Sequence, residues 1–550
     1  MRFGFIGAFF VLSASLWSAP VGPVTLQKLS RALQELSSTE KRVNVIVQYA
    51  NTPSEKDHSA FLTDGGSMRA RYRRLNFGSY AVSAKRLTTL AQNDNIRHIS
   101  LDRPLSAKLD YSAAAVNAGT AWLSGFNGTG IGVAVIDSGV TPVADLGNRI
   151  VYSQDFIGGD GSDQYGHGEH VSGIVAGDGL SSYGQNDTHT FRGIAPNANI
   201  INLRVLDKTG AGSDSTVIAA IDQAIALQST YNIRVINLSL GRPVFEPYTE
   251  DPLCQAVEQA WAAGIVVVVA AGNDGRVNVE GTNGYGTINS PGNDPYVITV
   301  GAMKTMGTYD RSDDLVASYS SKGPTYLDHI VKPDIMAPGN LVVSLLAPGT
   351  PTLAATYPQN SIQMSYYLDS ATSGVSQYYF LLSGTSMATP VVSGAAADLL
   401  QANPSLTPDQ VKAIFMRTAY KTFPTSSIAT DPVTGQAYLS VYDVFTIGAG
   451  YLDVAAALQN PSAPPGTALS PTATYDPTSG QVSVQLDPTS LLGYYSAWGT
   501  NSAWGTNSAW GTNSAWGTNS AWGTNSAWGT NSAWGTTTIA AQSMMIAGEK

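Results

Sequence analysis

From Ala113 onward short, almost wholly apolar segments alternate with longer stretches of helical spacing, and this rhythm restricts the fold more than any other feature. The strand candidates are Gly132–Ile136, Ile200–Val205, Val235–Leu238, Ile265–Ala270 and Val297–Val300. Strands apolar on successive residues are covered on both faces. Between them lie helical candidates such as Asp214–Leu227, whose apolar residues recur at three- and four-residue intervals. Repeated βα units of this kind predict an α/β fold, a parallel sheet with helices on both faces. In such sheets functional groups collect at the carboxyl ends of the strands. Here two strand ends carry polar residues followed closely by glycine, Asp137-Ser-Gly139 and Gly272-Asn273-Asp-Gly275.

Three segments carry nucleophile-type chemistry. Gly384-Thr-Ser386-Met-Ala-Thr-Pro390 leads into an apolar run from Val391 to Leu400 and places a serine on the first turn of a buried helix. The first N–H groups of a helix lack internal partners, so they and the dipole favour an oxyanion beside the hydroxyl. Taken alone, the same residues also read as an ordinary helix cap. Asp137 alone also reads as a turn residue. In Gly166-His167-Gly168-Glu169-His170-Val171 a glycine-flanked histidine enters a helix of small residues. His167 and His170 without a supporting Cys or further His make a poor zinc pair.

Together the segments resemble the subtilisin-like serine proteases, the subtilases, over roughly Ala113 to Ala457. The carrying motifs are Val135-Ile-Asp137-Ser-Gly139, His167-Gly-Glu-His170-Val and Gly384-Thr-Ser386-Met-Ala-Thr-Pro390, in the chain order Asp, His, Ser. The resemblance implies a serine endopeptidase. Ser386 would attack the peptide carbonyl, His167 would relay the proton, and Asp137 would fix and stabilise the imidazole. Asn273 would offer its amide to the oxyanion, and its alternative reading is a turn former. Substrate would lie between Gly210-Ala211-Gly212 and Ser239-Leu240-Gly241, near Ala271 and Gly272, added as an extended strand. Glu169 departs from the family pattern, which has Thr there, and would either raise the His167 pKa or bind a loop. The stretch between Gly339 and Ser383 is longer than the family's and reads as a surface insertion near the cleft.

Calcium is a structural cofactor the resemblance allows; Asp145 and the Asn186-Asp187 loop offer oxygen, but no ligand set is assignable and no metal residue is named.

The 550 residues exceed one ordinary domain. Residues 1–19 read as a signal peptide, with Arg2, an apolar run to Leu16 and small residues near Ala19, so a secreted or cell-surface enzyme is expected. Residues 20–110 read as a small α+β unit similar to the inhibitory propeptides of secreted subtilases, released by self-cleavage between Leu105 and Tyr111. Between Pro20 and Asp110 there are 14 Lys/Arg against 8 Asp/Glu, and beyond Asp110 15 against 32. A basic segment ahead of an acidic enzyme would dock on it favourably. The expected partners are therefore protein or peptide substrates and the chain's own propeptide. The cluster Arg69, Arg71, Arg73, Arg74 stands without interleaved aromatics, so nucleic acid is not an expected partner. Cys254, the single cysteine, excludes internal disulfides and reads as a buried thiol.

The peptidase domain is expected over residues 111–460 and a Pro-rich linker over 461–495. Seven tandem copies of Ser-Ala-Trp-Gly-Thr-Asn, the last lacking its Asn, fill 496–536, and 537–550 form a tail. A period of six puts every Trp on one face of an extended chain. That suits a solenoid or an aromatic strip contacting glycans or a cell surface, while a disordered duplicated repeat has the same composition. The rival to an active protease is a surface-binding protein that keeps the protease fold as a scaffold.

Overall fold

The computed structural model describes residues 28–101, 108–109, 111–494 and 548–549, apart from 64, 73–75, 184–187, 279–281, 369–372, 432–433, 477 and 479–480. The signal-peptide segment, most of the expected self-cleavage window and the hexapeptide repeats lie outside the described residues. The chain divides into two compact units between Ser106 and Ala107. The boundary falls four residues before the expected one, because Lys108–Leu109 pairs in parallel with His189–Thr190 of the second unit.

The first unit is α+β. Arg42–Tyr49 alternates exposed and buried residues, as period two demands of a half-covered strand. It lies between Phe77–Ser83 and Ile96–Leu101, both antiparallel, and Ser67–Arg71 extends the sheet on the Phe77 side. Val43, Val45, Val47, Phe61, Tyr80, Leu87 and Ile99 form its own core.

The second unit is built on an eight-stranded sheet. Across it run Leu315–Val316, Ile298–Lys304, Val266–Ala270, Ile233–Leu238, Gly132–Asp137, Asn199–Arg204 and Ile150–Asp155, with Ile335–Asn340 also paired to Ile298–Lys304. All neighbours are parallel except Leu315–Val316. Gly132–Asp137 and Val266–Ala270 are buried at every residue, which explains their unbroken apolar sequences. The chain runs outward from Gly132–Asp137 on one side and then returns to add Ile233–Leu238 on the other. The order therefore reverses beside the aspartate strand, where open α/β sheets place their sites. The histidine helix His167–Ala176 packs on the serine helix Thr385–Ala402, and Asp214–Ala226 packs on Pro252–Ala262. Cys254 is buried, as expected.

Two expectations change. The stretch after Gly339 is not merely a surface insertion. Val342–Leu345, Val375–Leu382 and Ser361–Gln363 form a three-stranded antiparallel sheet whose Val342, Leu345, Tyr379, Phe380 and Leu382 join the main core. Residues 461–494 are not a free linker either. Thr472–Asp476 and Gln481–Gln485 make a hairpin, and Ala468, Ala473, Leu491 and Leu492 pack with Val331, Met416 and Phe445. The Ser470 hydroxyl enters a buried cluster, 2.8 Å from Lys412 Nζ and 2.5 Å from Asp334 Oδ1, where Lys332 also pairs with Asp334. Prolines marked this segment as irregular, but irregular chain still buries apolar side chains when a core surface is open to it.

Candidate active site

Asp137 ends its strand with a fully buried carboxylate. Oδ1 accepts from its neighbour's amide, Ser138 N–H, at 2.7 Å and from His167 Nδ1 at 2.7 Å. Receiving Nδ1–H fixes the imidazole tautomer and leaves Nε2 with its lone pair. The His167 side chain is 15 % exposed. Burial by itself would lower its pKa, but the Asp137 charge, the hydrogen bond to it and the Asp163 charge outweigh this and raise it.

The histidine helix is set against the aspartate by close approach. A Cβ on Gly168 would stand 2.3 Å from the Gly139 carbonyl oxygen, so only glycine lets the first turn touch the turn after Asp137. A residue missed in the sequence organises this corner. Asp163 accepts from Tyr165 N–H at 3.0 Å, Gly166 N–H at 2.8 Å and Glu169 N–H at 2.8 Å, capping the helix. It also accepts from the Ser138 hydroxyl at 2.9 Å, while that hydroxyl receives Gly168 N–H at 2.8 Å. Burial raises the Asp163 pKa, against the pull of these donors. The signal was an Asp four residues before the histidine, masked because Gly166 occupies the N-cap itself.

Glu169 binds a loop. Its buried Oε2 accepts Thr141 N–H at 2.7 Å, and burial holds its own pKa well above the carboxylate range. His170 is a packing residue: Nε2 lies 3.1 Å from the carbonyl oxygens of both Val342 and Phe380, and burial lowers its pKa to about 3.

Ser386 is the second residue of its helix, preceded by Gly384 at φ 149°, a region that favours glycine. Pro390 has no N–H to give the Ser386 carbonyl four residues back. The Ser239 hydroxyl takes that role, donating to the Ser386 carbonyl at 2.8 Å. In return the Ser386 hydroxyl donates to the Ser239 carbonyl at 3.0 Å, not to His167. Asn273 is oriented from the same turn. Its Oδ1 accepts Thr385 N–H at 2.9 Å and the Thr385 hydroxyl at 3.2 Å. Its NH2 therefore has no protein partner among the described residues, and neither has Ser386 N–H.

The structure brings Asn273 and Ser239 to the serine turn; the remaining expected substrate residues fare differently. Ala271 gives N–H to Val300 and accepts from Asn289, and Gly272 gives N–H to the Thr385 hydroxyl and accepts from Ser321. Both are buried with their main-chain groups engaged, so neither offers a substrate strand a free N–H there. Gly210 sits in a turn closed by Asp207, which gives N–H to the Ala211 carbonyl and takes Ala211 N–H on Oδ1. Ala211, Gly212 and Gly241 are exposed and Leu240 is half-buried.

Asp145 does not fit a calcium ligand. Oδ1 accepts Ser181 N–H at 2.9 Å and Oδ2 accepts the Tyr379 hydroxyl at 2.7 Å. Asn186 and Asp187 lie outside the described residues, and among the described residues no cluster of His, Cys, Asp or Glu could hold a metal ion.

Residues 128–444 match the model of the Subtilase family. Serine protease AprX of Bacillus subtilis is 39 % identical over 63 % of this chain and 75 % of its own length. Subtilisin E of Bacillus subtilis is 30 % identical over 73 % of this chain and 92 % of its own. Subtilisin DY of Bacillus licheniformis is 33 % identical over 56 % and 90 %.

Proposed function

The chain belongs to the subtilase family and is a serine-type endopeptidase, and we propose that Ser386, His167 and Asp137 carry its chemistry, with Asn273 completing the oxyanion site. The 2.7 Å Asp137–His167 bond, which presents Nε2 as a base, supports this reading most directly. The Ser386 hydroxyl leaves the Ser239 carbonyl, turns to Nε2 and gives up its proton as Oγ attacks the peptide carbonyl. Asp137 stabilises the imidazolium that forms. The Ser386 N–H and the Asn273 NH2, both without partners among the described residues, receive the oxyanion. The imidazolium then protonates the leaving amine, and water hydrolyses the acyl-enzyme by the same relay. The vacated Ser239 carbonyl becomes an acceptor for a substrate N–H beside the cut.

The enzyme is made as a secreted zymogen. The separate α+β unit with its own core supports a propeptide role for residues 20–110, and the apolar N-terminal run supports export. Among the described residues no helix is long and apolar enough to cross a membrane. The hexapeptide repeats serve surface or glycan contact through their tryptophans.

Wild-type protein and Ser386→Ala, followed by intact mass and casein hydrolysis, test the reading. Wild type should shed the segment ending near 105–111, digest casein and take one PMSF adduct on Ser386. The variant should stay full length and inert. If both stay full length and neither cuts casein, the fold serves as a scaffold and the reading fails.

A further inference from the structure

Gly548 and Glu549, although almost the last residues of the chain, sit within the second unit. Glu549 is 6 % exposed. Its Oε1 accepts from Arg276 Nη2 at 2.6 Å, from Ser318 N–H at 2.9 Å and from the Ser318 hydroxyl. Lys304 Nζ lies 3.0 Å from Oε2. The main chain is held as well: Glu549 N–H donates to Asn340 Oδ1 at 2.8 Å, and Asn340 Nδ2 donates to the Glu549 carbonyl at 2.8 Å. One side-chain amide thus grips both main-chain groups of one residue, as a neighbouring strand would. At Gly548, with φ 70°, a Cβ would come 2.2 Å from Leu341 Cδ2 and 2.8 Å from Ser383 Oγ. The pocket accepts glycine followed by an acidic residue.

Arg276 also pairs with Asp431 at 3.6 Å, so it is Lys304 that requires the Glu549 anion. The Lys304 side chain is 7 % exposed, and among the described residues Glu549 is its ion-pair partner. A buried ammonium left without its counter-charge is strongly disfavoured. Arg276 is pre-aimed by donating Nε–H to the Ser318 hydroxyl at 2.6 Å and by lying over the Tyr438 ring.

We propose that this pocket is a built receptor for Gly548-Glu549 of the same chain, so that the second unit fixes the chain at two places, one on each side of the hexapeptide sequence. The first anchor is Leu491–Tyr494, whose Leu491 and Leu492 are buried in the core around Phe445. The second is Glu549. The receptor shares its walls with the candidate active site. Arg276 follows Asn273 by three residues, and Ser383, whose hydroxyl accepts Leu341 N–H at 2.9 Å, precedes Ser386 by three. Seating the terminus braces the loops that carry the oxyanion amide and the nucleophile.

Full-length Ser386→Ala protein, given one recognition sequence for a site-specific protease between two hexapeptides, tests this without requiring catalysis, so the result is independent of the proposed triad. After the cut, the C-terminal fragment should co-elute with the body on native gel filtration. Glu549→Ala should release it at least tenfold faster, with Glu549→Gln between the two. Lys304→Met, checked for a native circular dichroism spectrum, should release it as well. Immediate loss of the wild-type fragment from a folded body overturns the proposal. So does equal retention by Glu549→Ala or by folded Lys304→Met, since the repeats would then be the attachment.

Discussion

The two halves of the candidate site are organised by opposite means. Around His167 the work is done by buried carboxylates: Asp137 on Nδ1, Asp163 capping the helix, and Glu169 holding the Thr141 loop. Around Ser386 the organising groups are neutral: the Ser239 hydroxyl and carbonyl, the Thr385 amide and the Asn273 side chain. The difference follows the charges of the proposed reaction. A cation would form on the His167 imidazole, and the Asp137 and Asp163 charges favour it. An anion forms beside the serine, so uncharged N–H donors wait there, and a fixed cation is unnecessary. Preorganised dipoles need no rearrangement when the charge appears.

The sharpest way to break this contrast is Asp137→Asn. It should lower kcat by about 10,000-fold, the scale seen when a triad aspartate becomes an amide and the wrong tautomer results. The His167 pKa is held up chiefly by the Asp137 charge against burial, so its loss should also move the acid limb of kcat/KM to lower pH. A pH–rate profile on a chromogenic peptide reads both, and an unmoved acid limb would mean that the carboxylate does not set the imidazole. On the neutral side, Asn273→Ala should cost about 100- to 1,000-fold in kcat, with KM little changed, because the lost donor acts only on the transition state. A change confined to KM would make Asn273 a substrate-positioning residue.

The smallest effect is expected from Glu169→Gln, with turnover within about twofold of wild type at neutral pH, since Glu169 grips a loop and is not among the charges that shift His167. Its folded pKa is raised by burial. The stability its neutral form provides is complete below the unfolded value of about 4.3 and is lost as pH rises toward and through the folded value. The glutamine variant should therefore gain in relative Tm with rising pH, by about 1 °C if 1 kcal/mol is at stake in a unit of this size. Thermal melts in the Ser386→Ala background measure this, and parallel curves for the two proteins would show that Glu169 ionises freely.

Much of this was legible in the sequence because it is local. Gly132–Asp137 and Asp214–Ala226 follow from apolar period within a few residues of the expected bounds. Gly384, Ser386 and Asp137 announce themselves by what flanks them. The features that stayed hidden depend on partners far along the chain. The Ser239–Ser386 exchange exists because Pro390 withholds an N–H, and no spacing rule links residues 147 apart. Asp163 acts through donors of the following turn and helix while occupying no cap position itself. Residues 461–494 lack a strong period, and only the apolar surface around Phe445 reveals where Leu491 belongs. Glu549 has no local pattern at all. A lone acidic residue is usually solvated, and only the distant partners Lys304, Arg276, Ser318 and Asn340 give it a place.

That place bears on how the repeat array could have grown. With Glu549 seated and Leu491 buried, two points of the chain are tied to one unit, and the entropy cost of tying two points of a chain rises only with the logarithm of the length between them. Doubling the array would cost about 0.6 kcal/mol in this accounting. Copies of Ser-Ala-Trp-Gly-Thr-Asn can therefore be added or lost almost neutrally for the stability of the fold, provided the last Gly-Glu stays intact.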